Sequence, residues 1–387
     1  MKILKFDILY PQFYLDEVQN QELGLIQNMD LSAYIEWLYQ QNMGYGDVIS
    51  RGFISEGWEV LDFYNQDSVY LEKLKKKSGI KVSFFDFIFR KRRRDFFRFS
   101  LQELLGCFFS KKIRNLILNE VFIIRFIKYY NPDIIFLREP CGVRNVVFDY
   151  LKEKHFVVSL IGCNIPGLKK WQMDNSNLIF TLFPEYVKYF EANGIDSCLF
   201  EYGNFQLSEK KLEKVYDVTF VGVLATTVQK QKTIVMDKVA HSFDFKWWGV
   251  MGNLMNDFPV LKKSWQGHAA GTKMFDIYKS SKIILNDYPF NAKGGASNIR
   301  IKEVLSSGSL LLTRYSTDLD LLIEKKALVT FENEEQCLEL IDYYLKNEIE
   351  REQIAQNGLE LSKELFDSQK IMKRVNTIIL EKYNQIK

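Results

Sequence analysis

Short apolar runs alternate with longer amphipathic segments along most of the chain, which is the pattern of an α/β fold. In the first half, apolar runs at 132–137, 156–162 and 176–183 predict buried parallel strands, and the opening MKILKF predicts another. The segment PEYVKYFEANG predicts a helix, because Pro184 stands at its start and Gly194 at its end. This half is therefore predicted to contain a parallel sheet.

The alternation starts again after a charged connector, SEKKLEKVYD at 208–217. The apolar runs after it predict strands in DVTFVGVL, FDFKWWGV, KIILND, SLLLTR and ALVTF, followed by a helical tail. We place a domain boundary at the connector, which gives domains 1–207 and 208–367. Two doubly wound, Rossmann-like α/β domains side by side leave a cleft at the carboxyl ends of their strands, where such sheets bind ligands.

Composition and charge exclude several classes of protein. The chain has 387 residues, of which 47% are hydrophobic, so each half can bury a core. A net charge of +3 argues against a general nucleic-acid binder. Five scattered cysteines without a CxxC pair are typical of a reducing compartment, so we expect a cytoplasmic protein. The start is predicted to be a strand and not a signal peptide, and no apolar run predicts a transmembrane helix.

The segment KGGASNIRIKEVLSSG holds the most informative chemistry. Its glycine-rich loop precedes a predicted helix whose unpaired N–H groups favour an anion. The candidate ligand-binding residues of this loop and cap are Lys293, Gly294, Gly295, Ser297 and Asn298. Arg300 and Glu303 share one face of the helix, where an arginine suits a diphosphate and a carboxylate suits a pair of ribose hydroxyls. The alternative is a surface salt bridge between these two side chains.

Two further glycines follow predicted strands of the second half. Gly222 ends the first of these strands and Gly249 follows the second. A glycine at the end of a strand lets a ligand approach the backbone closely, although a tight turn would also explain it. The chain contains neither GxGxxG nor GxxxxGK[ST], so a dinucleotide fingerprint and a P-loop are both excluded.

The stretch from about 217 to 375 resembles the C-terminal domain of GT-B glycosyltransferases, especially the spore-maturation-type branch of the group 1 glycosyl transferases. The matching pieces, in the expected order, are DVTFVG, FKWWG, AGTKMFDIYKSSKIILND, SNIRIKEVLSSGSLLLT and FENEEQCLELIDYYLKNEIEREQIAQNG. The resemblance implies a GT-B fold, a nucleotide-diphospho-sugar donor, and a retaining outcome. It also implies that the last helix, 368–387, packs back onto the N-terminal domain.

The resemblance assigns roles to four residues of the second half. It puts Glu303 at the donor ribose, Arg300 and Asn298 on the loop and helix that face the donor, and Gly222 at the phosphate-side turn.

Two positions depart from the family pattern. The wider retaining group often has a glutamate eight residues before the ribose-binding one, and this chain has Gly295 there. The branch also commonly has an arginine soon after the first glycine turn, and here the nearest basic residues are Lys230 and Lys232. These two lysines and Lys293 are therefore candidates to bind the diphosphate.

Polar residues at strand ends of the first half are candidates for a general base or a leaving-group partner: Arg138, Glu139, Asn164 and Glu201. His268, in a loop of small residues, is a further catalytic candidate that could approach the donor. Polar residues at strand ends and plain loop histidines are common, so an ordinary structural role is the alternative for each. No metal is expected, because the DLD at 318–320 is explained by helix capping and the three histidines lack ligand spacing.

The segment SFFDFIFRKRRRDFFRF, at 83–99, combines phenylalanines with a basic run. The candidate membrane-binding cations are Arg90, Lys91, Arg92, Arg93 and Arg94. Cations attract anionic head groups and aromatic rings insert into the interface, so the segment predicts a peripheral contact with an anionic membrane. The alternative is a helix with buried phenylalanines and solvated arginines. Nucleic acid is less favoured, because the cluster is single and short.

The sequence thus predicts a GT-B glycosyltransferase with two Rossmann-like domains. The N-terminal domain would bind a glycan or lipid-linked acceptor, and the C-terminal domain a nucleotide sugar, without a cofactor. Bacterial surface polysaccharide, lipopolysaccharide or glycoconjugate synthesis is the expected setting. The alternatives left open are a non-catalytic sugar- or nucleotide-binding protein on the same fold and a nucleic-acid-binding module that uses the basic run.

Overall fold

The chain is described by a computed structural model over residues 1–7, 12–42, 47–82, 110–138, 145–162, 173–203, 207, 210–227, 229–288 and 299–386. Its described strands form two parallel sheets, one of six strands and one of five. Each half of the chain contributes one sheet, and helices pack against both.

The first sheet contains strands β1 (Lys2–Phe6), β2 (Glu59–Phe63), β3 (Ile134–Arg138), β4 (Phe156–Ile161), β5 (Leu178–Thr181) and β6 (Ser197–Leu199). Their order in the sheet is β2-β1-β3-β4-β5-β6, and all five pairings between neighbouring strands are parallel. The described helices of this half are α1 (Gln12–Gln21), α2 (Leu23–Asn28), α3 (Leu31–Gln40), α4 (Val48–Ser55), α5 (Ser68–Ser78), α6 (Lys111–Tyr130), α7 (Asn145–Lys154) and α8 (Pro184–Ala192).

The second sheet contains β7 (Tyr216–Val221), β8 (Phe245–Trp248), β9 (Ser281–Asn286), β10 (Leu310–Arg314) and β11 (Val329–Phe331). Their order is β11-β10-β9-β7-β8, again parallel, so the ends of β9, β7 and β8 are adjacent. The described helices of this half are α9 (Lys230–Ser242), α10 (Pro259–Lys263), α11 (Gly271–Lys279), α12 (Ile299–Ser307), α13 (Asp320–Glu324), α14 (Glu334–Lys346), α15 (Glu348–Leu365) and α16 (Ser368–Ile386).

The predicted fold class is confirmed, because both sheets are parallel and the strands alternate with helices. The central strands are the ones that the apolar runs predict most directly. All six residues of β4 are buried, and so are the first four of β3. Helices cover both faces of such strands, which explains why their sequences read as continuous apolar runs.

The last helix, α16, leaves the second half and packs against the first. The indole Nε1 of Trp58 donates a hydrogen bond of 2.7 Å to Oδ1 of Asn376. The rings of Phe156 and Tyr383 meet edge to face, with 5.6 Å between their centroids. In α4, a Cβ added at Gly52 would lie 2.6 Å from Cβ of Met372. Helix α16 therefore joins the two halves through close packing as well as through the chain.

We expect Gly52→Ala to lower the free energy of unfolding by about 1–2 kcal/mol, because overpacking at Met372 outweighs the gain in helix propensity. The matched control is Gly24→Ala in α2, where nothing lies within 4 Å of an added Cβ. This control should leave stability unchanged or raise it slightly. Urea unfolding of both variants measures the difference, and equal stabilities would show that α16 does not pack this closely on α4.

Candidate functional site

Two glycine turns meet at the carboxyl edge of the second sheet. Gly222 follows β7 and Gly249 follows β8, and the N–H of Gly222 donates a 2.8 Å hydrogen bond to the carbonyl of Trp248. Gly249 has a φ of +133°, and a Cβ there would lie 2.7 Å from the carbonyl carbon of Gly222. The two backbones are thus too close for any side chain at Gly249.

The guanidinium of Arg300 lies directly against the first of these turns. A Cβ added at Gly222 would lie 2.7 Å from Nη2 of Arg300, so this position requires glycine for the arginine to fit. The guanidinium carbon is 4.9 Å from the ring centroid of Phe220. Nη1 donates a 3.0 Å hydrogen bond to Oδ1 of Asn286, the last residue of β9. Arg300 therefore touches the ends of two neighbouring strands.

The hydrogen bonding of the Arg300 guanidinium is incomplete among the described residues. Its Nε is buried and has no hydrogen-bond partner within the described ranges. Within the same ranges, Arg300 forms no ion pair with Glu303, so the surface salt bridge considered as the alternative is not present. A partly buried guanidinium that stacks on an aromatic ring and keeps an unpaired donor is suited to bind an anion.

Lys232, in the first turn of α9, brings a second positive charge to this cluster. Its Nζ lies 5.2 Å from the ring centroid of Phe220, and the residue is only 6% exposed. Burial and the charge of Arg300 lower the pKa of Lys232 to about 7, against the opposing effect of Asp287. Its neighbour Lys230 is exposed at the start of the same helix. Of the two candidate lysines, the fold thus brings only Lys232 against Phe220.

Glu303 is a buried carboxylate on the same helix as Arg300. It is 9% exposed, and burial raises the pKa of Glu303 to about 7, although Arg300 acts in the opposite direction. Burial and the Glu303 charge also raise the pKa of the nearby Tyr278 hydroxyl. Over the part of the chain that is described, no hydrogen bond or ion pair holds the Glu303 carboxylate. Such a group is costly to bury, and it is available to accept hydrogen bonds from a ligand.

His268 lies beside the second glycine turn. The preceding residue, Gly267, accepts a 2.9 Å hydrogen bond from the N–H of Gly249. The His268 ring packs perpendicular to that of Trp265, with 5.5 Å between centroids, and Trp265 Nε1 donates to the Gly249 carbonyl at 2.9 Å. The histidine is therefore on the same edge of the sheet as Gly222 and Gly249.

Two polar residues next to the site were not singled out from the sequence. Asn286 accepts from Arg300 and donates a 3.0 Å hydrogen bond to Thr313, and it is fully buried. Asp287 forms a bidentate pair with Arg314 at 2.9 and 3.0 Å. These two residues are the last two of the segment KIILND, directly after its apolar part. The signal was the polar pair at the end of a buried strand.

In the first sheet, the candidate residue Arg138 belongs to a network of paired charged side chains. Arg138 Nη1 donates to Oδ1 of Asp7 at 2.7 Å, and Nζ of the fully buried Lys5 lies 2.9 Å from Asp7 and 3.1 Å from Asp62. Burial would lower the pKa of Lys5, but the two carboxylates outweigh it and raise that pKa. This network ties together the ends of β1, β2 and β3. Arg138 therefore helps to hold these strand ends together.

Glu201, the other described candidate of the first half, is also paired. It accepts from Nη2 of Arg374 at 3.3 Å, and both side chains are exposed. The remaining candidates lie outside the described residues: Glu139, Asn164, Lys293, Gly294, Gly295, Ser297, Asn298, Arg90, Lys91, Arg92, Arg93 and Arg94.

Among the described residues, no group of histidine, cysteine, aspartate and glutamate side chains has the arrangement of a metal site. Asp318 lies in the 3-10 turn Thr317–Leu319 and Asp320 begins α13, so the DLD segment lies at a helix start as expected, although neither N-cap residue forms a side-chain capping hydrogen bond. Asp320 accepts a 3.1 Å hydrogen bond from the Tyr315 hydroxyl. Within the same residues, no helix has both the length and the apolar character needed to cross a bilayer.

The second half of the chain resembles a known protein family. Residues 231–378 match the family model described as glycosyl transferase-like. This region contains Lys232, His268, Arg300 and Glu303, and it covers most of the second sheet. No curated protein sequence matches the chain.

Several solved structures resemble the whole chain at low sequence identity. HepE of Anabaena in complex with UDP-glucose has a TM-score of 0.57 and 12% identity, covering 98% of this chain and 100% of that one. A glycosyltransferase from Rickettsia africae ESF-5 has a TM-score of 0.55 and 13% identity, covering 100% and 98%. Sucrose-phosphate synthase from Thermosynechococcus elongatus has a TM-score of 0.52 and 10% identity, covering 100% and 99%.

TarM, a longer protein, also matches in part, with a TM-score of 0.50 and 11% identity. The match covers 67% of this chain and 58% of the length of TarM. The likenesses that extend over both sheets identify the arrangement of the two domains. The chain therefore has the GT-B fold, and its residues 231–378 match the glycosyl transferase-like family.

Proposed function

We propose that this protein is a glycosyltransferase that moves a sugar from a nucleotide-diphospho-sugar to an acceptor hydroxyl. The observation that carries the proposal is the cluster of Arg300, Lys232 and the Gly222 turn at the carboxyl edge of the second sheet. It lies where ligands of open α/β sheets bind. The related HepE structure contains UDP-glucose, which supports a UDP-sugar as the first donor to test.

In this proposal the two cations bind the diphosphate. The planar fork of Arg300 donates parallel hydrogen bonds to phosphate oxygens, and Lys232 supplies a second positive charge. When the bond to the sugar breaks, the leaving nucleoside diphosphate gains negative charge. Cations fixed in a poorly solvated place stabilise that charge without having to reorganise. A bound diphosphate would also return Lys232 to its charged form, because a nearby anion raises a lysine pKa.

Glu303 would bind the ribose. Its carboxylate accepts hydrogen bonds from two neighbouring hydroxyls only when it is ionised, and in the free protein burial holds its pKa at about 7. Hydroxyl donors would lower that pKa, so nucleotide binding near neutral pH should release a proton from Glu303. His268 remains a candidate to contact the donor from the Gly249 side.

Further features of the proposal are supported by the sequence resemblance. They are a retaining, metal-independent reaction, membership of the spore-maturation-type branch, and a role in surface polysaccharide, lipopolysaccharide or glycoconjugate synthesis. The acceptor would be a glycan or a lipid-linked glycan. We also propose that the segment 83–99, with its five consecutive cations, brings this cytoplasmic enzyme to an anionic membrane surface.

We expect Lys232→Met to weaken UDP binding at least tenfold, because it removes a cation from the diphosphate, worth about 1.5 kcal/mol or more. Titration calorimetry with UDP measures the dissociation constants. The matched control is Lys230→Met, which removes an exposed charge two residues earlier and should change the constant less than twofold. Equal effects of the two substitutions would remove Lys232 from the site. Hydrolysis or transfer of UDP-glucose by the wild type separates a transferase from a binding protein.

We expect Glu303→Gln to weaken UDP binding and at the same time to stabilise the protein above pH 7. Folding raises the pKa of Glu303 to about 7 from an ordinary 4.5, so the wild type loses stability as the pH rises through this window. Above pH 7 the loss is complete, and glutamine avoids it, which should raise the free energy of unfolding by roughly 1–3 kcal/mol.

The advantage of Glu303→Gln should vanish below about pH 4.5, where the carboxyl is protonated in both states. Urea unfolding at pH 8, 6 and 4.5 tests this dependence. The exposed Glu339→Gln in α14 is the control and should show no such trend. A stability difference that does not change with pH would show that Glu303 is not a buried ionisable carboxyl.

We expect turnover of the donor to survive an excess of EDTA, because Arg300 and Lys232 provide the positive charge that a metal ion supplies in other transferases. The measurement is the initial rate of UDP release with and without chelator. Loss of the rate with EDTA and its recovery with Mg²⁺ or Mn²⁺ would overturn the metal-independent mechanism.

A further inference from the structure

The chain crosses between the two halves twice, and the two crossings touch. The first crossing runs from the end of β6 to the start of β7 and includes Tyr202 and Gly203. The second lies between α15 and α16, at Phe366 and Asp367. A Cβ added at Gly203 would lie 2.6 Å from Cα of Ser368, the first residue of α16. The two segments therefore form one junction between the domains.

Lys302 connects the helix α12 to both crossings. Its Nζ donates a 3.0 Å hydrogen bond to the carbonyl of Tyr202, in the first crossing. The same atom lies 4.4 Å from the ring centroid of Phe366, in the second. Helix α12 also contains Arg300 and Glu303, so the helix that holds the proposed donor contacts is anchored at the junction.

Burying the Lys302 ammonium at this position costs desolvation free energy. The residue is 8% exposed, and no ion pair with a carboxylate is present among the described residues. Burial lowers the pKa of Lys302 to about 8, with Glu201 opposing the shift. An apolar side chain would fill the same volume without the cost of desolvating a charge. Unlike an apolar side chain, the ammonium forms a directional hydrogen bond and a contact with the Phe366 ring. These two contacts fix where α12 lies relative to the crossings.

We propose that Lys302 is a positioning residue that holds the donor-binding helix at a fixed place relative to the first domain. The inference rests on the proposed function, since it concerns the same donor site. Nucleotide binding needs only the second domain and therefore does not need the anchor. Transfer does need it, because the sugar must be held within reach of an acceptor on the other domain, and reaction rates fall steeply with small misplacements.

The first test compares Lys302→Met with the wild type, using UDP for binding and UDP-glucose for turnover. We expect kcat to fall at least tenfold while the dissociation constant for UDP stays within twofold. Lys302→Arg keeps a positive donor on a long stem and should restore most of the rate. A parallel loss of UDP affinity and kcat, or an unchanged kcat in a folded Lys302→Met protein, would overturn the proposal.

The matched control is Lys214→Met. Lys214 is partly buried, burial lowers its pKa to about 8 as well, and its Nζ donates to Ser309. Ser309 directly precedes β10, so this lysine lies at the amino edge of the second sheet, opposite the proposed site. Lys214 lies in the first crossing, just before β7 begins, and its substitution removes a partly buried ammonium without touching the contacts of Lys302 with Tyr202 and Phe366. It should lower stability but leave kcat unchanged, which separates positioning from a general loss of structure.

A second test needs no nucleotide. Spin labels at Glu72→Cys in α5 and Glu339→Cys in α14, with the native cysteines replaced, report the distance between the domains. Lys302→Met should broaden this distance distribution, whereas Lys214→Met should not. Identical distributions would overturn the proposal even in a protein that binds UDP. If the wild type binds no nucleotide but the distribution still broadens, the proposed function fails and the anchoring role of Lys302 remains.

Discussion

The close approach of the Arg300 guanidinium to the backbone at Gly222 is the constraint on which the proposed site depends. It requires glycine at the end of β7, and it is fixed by Phe220 beneath the guanidinium and by Asn286 beside it. Both partners belong to adjacent parallel strands, whose ends must meet at one edge of the sheet. The strand order β9-β7-β8 thus determines where the Arg300 guanidinium lies, and with it the proposed diphosphate site.

The second constraint is electrostatic, because the site keeps buried charges without neutralising them. Lys232 and Glu303 both have pKa values moved to about 7 by burial, one downwards and one upwards. A core evolved for stability alone would pair these groups or replace them with apolar residues. The first sheet shows that pairing in the same molecule, where Lys5 is buried between Asp7 and Asp62. The contrast supports the binding role proposed for Lys232 and Glu303, since the first sheet's charges are paired with each other.

The sequence predicted the central strands well but missed the edge strand β2, for a physical reason. β3 and β4 are buried on both faces and appear as uninterrupted apolar runs. Strand β2 lies at the edge of its sheet and contains Glu59 and Asp62, so its pattern gave no such run. Asp62 is nevertheless buried, because Lys5 and Ser50 bind it. A local hydrophobic pattern cannot detect an ion pair between residues that are far apart in the sequence, such as Asp62 and Lys5.

The same limit applied to the site. Sequence spacing identified Arg300 and Glu303 as one helix face, but it could not separate Lys230 from Lys232, which start the same helix with opposite exposure. Nor could it distinguish Lys302 from a solvated helix lysine, since its partners, Tyr202 and Phe366, are 100 and 64 positions away in the chain. Helix α12 thus contains the proposed donor contacts, Arg300 and Glu303, together with Lys302, which contacts both crossings. If donor and acceptor bind to different domains, as the proposed function requires, a helix with both roles couples the position of the bound donor to that of the first domain.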